Sequence, residues 1–249
     1  MAVAGQPTDR TGRPVPRCRR LVTSRAGGAS AGPYGTFNLA EHVGDDAAAV
    51  AANRGRLAGA VALPVDRFVW LEQVHGTAVR VVDGPATAPL PATDAAVTAQ
   101  PGLALPVLVA DCVPVLLADV DAGVIGAVHA GRSGAAGGVL RRALEAMWRL
   151  GADPARTEAL LGPAICGGCY EVPAELQAAV EQRLPGSACP TRVGTAGLDL
   201  RAGLATQLTA LGVARIAVDT RCTAEDPELY SYRRDGVTGR QAGVVWLEP

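Results

Sequence analysis

Two histidines and one cysteine follow apolar, strand-like runs, and these side chains can bind metals or act as nucleophiles. His75 ends the run FVWLEQVH, Cys112 ends LPVLVADC, and His129 lies near the end of GVIGAVHAG. Zinc prefers thiolate and imidazole ligands, and a set of three leaves a fourth coordination position open for water or substrate. The same residues contain a Cys–His pair of the kind used in nucleophilic catalysis.

The separation of these residues along the chain bears on the kind of site. The intervals from His75 to Cys112 and from Cys112 to His129 are too long for a local zinc-finger motif, so a shared site must be assembled by the tertiary structure. Three interpretations stay open: a metal site, a Cys–His nucleophilic pair, and unrelated residues. The chain contains only three histidines, which favours the first two.

Anion-binding groups lie close to these residues in the sequence. The segment HAGRSGAAGG leads from a strand into a helix predicted over 136–150, so its backbone N–H groups could hold an anion beside the site. Arginine side chains bind phosphate through two parallel hydrogen bonds. The candidates are Arg25, Arg233, Arg234 and Arg240.

Composition narrows the classes of function. All 23 basic residues are arginines, so a lysine Schiff base and a P-loop lysine are both excluded. The net charge of −1 gives no reason to expect a nucleic-acid or membrane partner. Without a recognisable signal peptide or membrane span, we expect a cytoplasmic protein with six reduced cysteines. Cys166 and Cys169 form a CxxC motif, but no second CxxC follows, so we interpret them as loop thiols rather than a zinc ribbon.

The order of patterns predicts the architecture. Residues 1–17, rich in Pro, Gly, Arg and Thr, are expected to form a flexible tail, and residues 18–249 a single domain without repeats. Strand-like runs cluster in sequence and helices follow them, which favours an α+β protein with mixed sheets over a doubly wound parallel sheet. Asp46 is expected to begin a helix, FVWLEQVHG to form a strand, and AGVVWLE to form an edge strand.

Six motifs, in order, resemble the YfiH/laccase-domain family. They are TSRAGGAS…PYGTFNLAEHVGDD, QVHG, ADCVPVLLAD, VHAG, GPAICGGCYEV and CTAEDPELYSYRRDGVTGR. Together they extend from about Ser24 to Val245, nearly the whole chain. Members of this family have been called multicopper polyphenol oxidoreductases, purine nucleoside phosphorylases and peptidoglycan editing factors.

The resemblance implies a fold, a metal and an activity. The family's ligands are the His of QVHG, the Cys of ADC and the His of HAG, which correspond here to His75, Cys112 and His129, and zinc is the usual metal. The implied fold is a single-domain α/β/β/α sandwich of mixed sheets. The implied activity is phosphorolysis of purine nucleosides (adenosine, inosine, methylthioadenosine) by inorganic phosphate, with adenosine deamination as a second activity. We expect a monomer or a small homo-oligomer.

Further residues complete the predicted site. Asp111, beside Cys112, is a candidate for orienting a ligand or moving a proton, and joins His75, Cys112 and His129 as a predicted catalytic residue. The predicted substrate contacts are Arg25, Asn38, His42, Gln73, Arg132 and Arg234.

The glycine-rich segment departs from the family pattern, and other functions remain open. The family reads HAGWRG or HAGWKG, whereas this chain has Arg132 at the Trp position and Ser133 at the basic one. The change puts an aromatic wall or a phosphate-facing cation in question, although Arg132 could supply the cation. The alternatives are a Cys–His hydrolase with Cys112 as nucleophile, a copper polyphenol oxidase, and a non-catalytic protein that binds nucleotide or peptidoglycan precursor. A multicopper cluster would need more than three histidines, so composition disfavours the oxidase.

Overall fold

The structure is a computed structural model that describes residues 17–249. These residues form two packed β-sheets with helices on both outer faces. The strands are β1 (Cys18–Val22), β2 (Val79–Val81), β3 (Ala95–Thr98), β4 (Ala104–Val109), β5 (Val113–Asp119), β6 (Val124–Ala130), β7 (Glu158–Leu161), β8 (Ala188–Pro190), β9 (Ala196–Leu198), β10 (Arg215–Val218) and β11 (Gln241–Leu247). The α-helices are α1 (Ala47–Val61), α2 (Arg132–Gly137), α3 (Val139–Arg149), α4 (Ala174–Arg183), α5 (Leu200–Ala210) and α6 (Tyr232–Asp235).

The smaller sheet has three antiparallel strands in the order β1-β11-β4. The expectation that AGVVWLE forms an edge strand is wrong, because β11 pairs with β1 on one side and with β4 on the other. All seven residues of β11 are buried. An apolar run without alternation is what a strand covered on both faces requires.

The larger sheet has six strands in the order β10-β7-β5-β6-β3-β2. The pairs β10–β7 and β2–β3 are parallel and the other three are antiparallel, so the prediction of a mixed sheet is confirmed. A separate hairpin of β8 and β9 was not predicted.

Side chains of β5 show how the layers pack. Val115 and Leu117 face the cluster formed with α3 and α5, while Leu116 and Ala118 face the cluster between the two sheets. Successive residues of a strand point to opposite faces, so one strand supplies both apolar layers. Helix α1 covers the outer face of the smaller sheet, and Asp46 caps its first turn by accepting the Ala49 N–H at 2.8 Å. The predicted α/β/β/α sandwich in a single domain is therefore confirmed.

The run FVWLEQVHG is not a regular strand, contrary to the prediction. It pairs with its neighbours only through isolated bridges at Phe68 and Leu71. The side-chain amide of Gln73 takes over the pairing further along, because it donates to the Leu108 carbonyl and accepts the Leu108 N–H, both at 2.8 Å. A side chain thus occupies the exposed edge of β4, and the backbone is free to turn at His75.

Two predictions concern the N-terminal tail and membrane-spanning segments. The flexible tail predicted for residues 1–17 lies, except for its last residue, outside the described part of the chain. Within residues 17–249, no helix has the length and apolar character needed to cross a bilayer.

Candidate metal centre

The fold brings His75, Cys112 and His129 together. One ligand atom from each lies within 4.8 Å of the others. Cys112 Sγ is 3.9 Å from His75 Nδ1, and the two imidazole rings meet edge to face with centroids 4.7 Å apart. The three side chains can therefore face one ion, with a fourth position left open.

Antiparallel pairing in the larger sheet places two of the three residues. Val113, the first residue of β5, pairs with Ala130, the last residue of β6, so Cys112 lies opposite the turn after His129. On the other side of β6, Ala95 pairs with Val128, which puts Asp94 beside His129. Strand register, not sequence proximity, assembles this edge of the sheet.

Asp94 organises the site, and sequence reasoning missed it. Its carboxylate is fully buried and lies 2.8 Å from His129 Nδ1. It also accepts the backbone N–H groups of His75 at 2.9 Å and Gly76 at 2.7 Å. One carboxylate therefore fixes the ring of His129, with Nε2 free to face the ion, and holds the loop that carries His75.

The charges inside the site reinforce each other. Burial raises the pKa of Asp94, but hydrogen bonds from His129 and from the N–H groups of Gly76 and Val74 outweigh it and hold the pKa below its ordinary value. Burial also raises the pKa of Cys112, yet the charge and hydrogen bonds of His129 and His75 lower it to about 6. Burial lowers the pKa of His129, but Cys112 and Asp94 raise it to about 9. Cys112 is thus a thiolate at neutral pH, the form that binds metals.

Two non-glycine residues of the site adopt left-handed backbone conformations. His75 has φ of 58° and Asp111 has φ of 86°. Such conformations cost about 1–3 kcal/mol for residues other than glycine and concentrate at functional sites. At His75 the surrounding hydrogen bonds to Asp94 hold the strained turn in place.

The turn at Gly131 has no room for a side chain. A Cβ there would lie 2.4 Å from His75 Nδ1 and 3.2 Å from Cys112 Sγ. The backbone at Gly131 has φ of −73°, which any residue can adopt, so the constraint is purely steric.

We therefore expect Gly131→Ala to displace His75. The metal content of this variant should fall, and its free energy of unfolding should drop by about 1–3 kcal/mol, the usual cost of overpacking. Metal analysis and denaturant unfolding measure both quantities. Gly55→Ala is the control, because a Cβ at Gly55 in α1 meets nothing within 4 Å. Unchanged metal content in Gly131→Ala would contradict the assignment of His75 as a ligand.

The three residues open into a cavity of about 400 Å³. Four of the other predicted site residues also line it: His42, Gln73, Asp111 and Arg132. Arg132 is half-buried at the start of α2, whereas Ser133 is exposed. The helix predicted to begin at residue 136 is thus preceded by another helical segment that begins at Arg132, and Arg132, not Ser133, faces the cavity.

Arg25, Asn38 and Arg234 lie outside the cavity lining and have structural partners. Arg25 donates to the Gly35 carbonyl at 3.1 Å. Asn38 is fully buried and accepts the Arg240 N–H at 2.9 Å. The guanidinium of Arg234 is occupied by three backbone carbonyls and the carboxylate of Asp235. Their contacts hold loops in place, and none of the three lines the cavity as predicted.

Asp111 and Gln73 line the cavity with their polar atoms already occupied. The carboxylate of Asp111 accepts hydrogen bonds from Thr223 Oγ1 at 2.6 Å, Ser231 Oγ at 2.7 Å and the Arg233 N–H at 2.6 Å. Because three donors already occupy this carboxylate, Asp111 positions the segment that contains these donors. The geometry does not favour the proton transfer that was predicted for it.

His42 brings a neutral group to the cavity. Burial lowers its pKa, and the charges of Arg240 and Arg54 lower it further, so its imidazole is uncharged at neutral pH.

Four more aromatic or charged residues line the cavity that were not among the predicted substrate contacts, although two of them, Arg233 and Arg240, were named as arginines that could bind phosphate. Tyr170 and Tyr232 supply aromatic surface, and Arg233 and Arg240 supply charge. Arg233 lies over the ring of Tyr170, 5.0 Å from its centroid. The motif CYEV contains Tyr170, and the segment YSYRRDGVTGR contains Tyr232, Arg233 and Arg240. Only the tertiary structure shows that the two segments face one cavity.

Comparisons with known proteins show which family and which relatives this chain resembles. A family model described as multi-copper polyphenol oxidoreductase laccase matches residues 19–248. A purine nucleoside phosphorylase of Mycobacterium tuberculosis is 58% identical over 238 residues, covering 96% of this chain and 95% of that protein. One of Corynebacterium glutamicum is 56% identical over 241 residues, covering 96% and 97%.

Solved structures share the fold. YlmD of Geobacillus stearothermophilus superposes with a TM-score of 0.87 at 34% identity, covering 93% of this chain and 92% of its own. YfiH of Bacillus licheniformis does so with a TM-score of 0.87 at 30% identity, covering 93% of each chain. The fold class is thus that of the YfiH and YlmD sandwiches. The chain belongs to the YfiH/laccase-domain family.

Proposed function

We propose that this protein is a zinc-dependent purine nucleoside phosphorylase. The observation that carries the proposal is the arrangement of the cavity, in which an open His₂Cys donor set lies within reach of three arginines and two tyrosines. Relatives at 58% and 56% identity bear the name purine nucleoside phosphorylase, which supports the same activity.

The donor set suits zinc. Zinc binds thiolate and imidazole in tetrahedral sites, and catalytic zinc keeps one position for water or substrate. The acceptor behind His129, the buried carboxylate of Asp94, is the usual partner of a metal-bound imidazole. When bound, the ion would supply Lewis acidity at the floor of the cavity. Copper is the alternative, because His₂Cys sets also bind copper in electron-transfer proteins.

Arginines are the proposed phosphate site. Arg132, Arg233 and Arg240 line the same cavity, and the carboxylate of Asp111, which lines it with them, already accepts three hydrogen bonds. Guanidinium groups bind phosphate oxygens with charge-assisted hydrogen bonds. In phosphorolysis an oxygen of the bound phosphate attacks C1′ of the ribose while the C1′–N9 bond breaks. The bonding electrons pass to the purine, which leaves after taking a proton.

The purine is expected to lie against the tyrosines. Tyr170 and Tyr232 provide flat aromatic surfaces, and Leu108, Val109 and Ile165 provide an apolar wall. Base–aromatic stacking contributes about 1–3 kcal/mol and tolerates different bases. Such a site fits adenosine, inosine and methylthioadenosine alike. We propose adenosine deamination as a second activity, in which water replaces the 6-amino group and ammonia leaves.

Incubation with nucleosides tests the function directly. Purified protein with adenosine, inosine or methylthioadenosine should release free base and the matching sugar 1-phosphate only when phosphate is present, and chromatography identifies both. Inosine formed from adenosine without phosphate would report deamination. Absence of both free base and inosine under all conditions would refute the proposal.

The phosphate site gives a mutational prediction. We expect Arg132→Gln to raise KM for phosphate about tenfold, because about 1.4 kcal/mol of a charge-assisted hydrogen bond is lost. KM for the nucleoside should change much less. Arg141→Gln on the exposed face of α3 is the matched control and should leave both constants unchanged. Equal changes in both KM values would show that Arg132 does not act on phosphate.

A Cys–His hydrolase is the second candidate, and one observation favours it. Cys112, His129 and Asp94 form a nucleophile–base–carboxylate chain in which the thiol's pKa is lowered to about 6. Metal analysis separates the two functions. One zinc ion per chain that is lost in Cys112→Ala supports the phosphorylase. An active protein that loses no metal in Cys112→Ala and is inactivated by selective alkylation of Cys112 supports the hydrolase.

A further inference from the structure

A second cluster of potential ligands lies behind the wall of the cavity. It consists of Cys166, Cys169, Cys222 and Glu225, with one ligand atom of each within 4.8 Å of the others. All three cysteines are free thiols. Cys169 Sγ is 3.6 Å from a carboxylate oxygen of Glu225. None of these four residues belongs to the His75–Cys112–His129 site.

The cluster is built from two short turns that face each other. In the first turn the Cys169 N–H donates to the Cys166 carbonyl at 3.0 Å, and in the second the Glu225 N–H donates to the Cys222 carbonyl at 3.1 Å. The turns are the sequences CGGC and CTAE, so each offers two ligands three residues apart. A zinc ribbon has the same construction, with two Cys-x-x-Cys turns. The missing second motif is therefore present with glutamate in place of its last cysteine.

Backbone contacts hold the two turns in register. Ala164 forms a β-bridge with Cys222, and the Cys166 N–H donates to Cys222 Sγ at 3.3 Å. An N–H group directed at a cysteine sulfur stabilises its thiolate. Arg192, at the tip of the β8–β9 hairpin, forms an ion pair with Glu225 and would offset part of the negative charge of three thiolates and one carboxylate.

We propose that this cluster binds a second metal ion, a structural zinc with the ligands Cys166, Cys169, Cys222 and Glu225. Four protein ligands close the coordination sphere, as in structural zinc sites, whereas the His₂Cys site keeps an open position. Thiolate-rich sets select zinc over hard cations such as magnesium and calcium.

The position of the cluster gives the ion a role. Tyr170, next to Cys169, lines the cavity, and Thr223, next to Cys222, donates to Asp111 at 2.6 Å. An ion that joins the two turns therefore fixes the wall that carries the proposed base-stacking tyrosine. Its binding energy adds to the stability of the folded state.

Metal counting tests the proposal. Protein purified without chelator should contain two zinc ions per chain, Cys112→Ala one, Cys169→Ser one, and the double variant none. Cys189→Ser is the matched control, since that thiol lies close to the first turn but outside the ligand set, and it should retain two. Loss of an ion from Cys189→Ser, or one ion in both the wild type and Cys169→Ser, would overturn the assignment.

Two further measurements test the proposal even if Cys169→Ser fails to fold. Glu225→Gln keeps every thiol and should release the second ion at a lower chelator concentration than the wild type. Cobalt bound to Cys112→Ala should show thiolate charge-transfer absorption and tetrahedral visible bands. Equal chelator sensitivity of Glu225→Gln and the wild type, or a mass two hydrogens lighter from a Cys166–Cys169 disulfide, would overturn the proposal.

Discussion

Cys112→Ala is expected to abolish metal binding at the His₂Cys site and to lower kcat/KM for phosphorolysis by more than 100-fold. Loss of a partner behind a ligand already lowers metal affinity or activity by about 10- to 100-fold, and loss of the ligand itself should exceed that. The fold should persist, because Cys112 lies in the turn between β4 and β5 rather than in a core cluster. Steady-state kinetics with inosine and zinc analysis of the same sample provide the measurement.

Cys18→Ala is the control for this variant. Cys18 begins β1 in the smaller sheet, so its removal should leave kinetics and zinc content unchanged. Full phosphorolysis in Cys112→Ala without zinc at the His₂Cys site would contradict a metal-centred mechanism. If the wild type holds no metal at the His₂Cys site and Cys112→Ala is nevertheless inactive, Cys112 acts as the nucleophile of the hydrolase mechanism.

The strand content of the fold could be predicted because burial leaves a pattern in the strands, whereas the layered sandwich was implied by the family resemblance. In runs such as VPVLLAD, residues on both faces of the strand are apolar, as strands covered on both faces require. The order of strands could not be predicted in the same way. The run AGVVWLE is similarly apolar and was predicted to be an edge strand, but β11 lies between β1 and β4.

The metal site could be recognised only in part. His75, Cys112 and His129 stand out by residue type, whereas Asp94 is one of 24 acidic residues and precedes a short strand. Its role depends on the register of β3 against β6, which no local signal specifies. A carboxylate directly before an apolar strand was the sign available in the sequence, since a carboxylate buried at such a place requires partners.

The second cluster was missed for a similar reason. A search for two Cys-x-x-Cys motifs detects CGGC but passes over CTAE, because glutamate is common on surfaces. The two turns lie more than fifty residues apart along the chain and meet through a bridge between Ala164 and Cys222. A pattern that admits carboxylates at the fourth ligand position would have found it.

Asp94→Asn should weaken the metal site without removing a ligand. An amide carries no charge, so it no longer holds His129 as the imidazolium, and the pKa of His129 falls from about 9. Cys112 then loses the positive charge that lowers its own pKa, which should rise from about 6 toward the ordinary value. These shifts describe the metal-free protein, whereas zinc binds the neutral ring of His129 through Nε2. An amide orients that ring and supports its basicity less than a carboxylate does, so zinc affinity and kcat/KM should each fall about 10- to 100-fold.

The pH profile of thiol alkylation in metal-free protein distinguishes this effect from general destabilisation. In the wild type, Cys112 should be half-maximally reactive near pH 6, and in Asp94→Asn at clearly higher pH, because only the thiolate reacts. Asp119→Asn is the matched control, since that carboxylate is equally buried but pairs with Arg156. It should lower stability and leave the profile of Cys112 in place. An unshifted profile in Asp94→Asn would mean that His75, rather than the Asp94–His129 pair, sets the charge of the thiol.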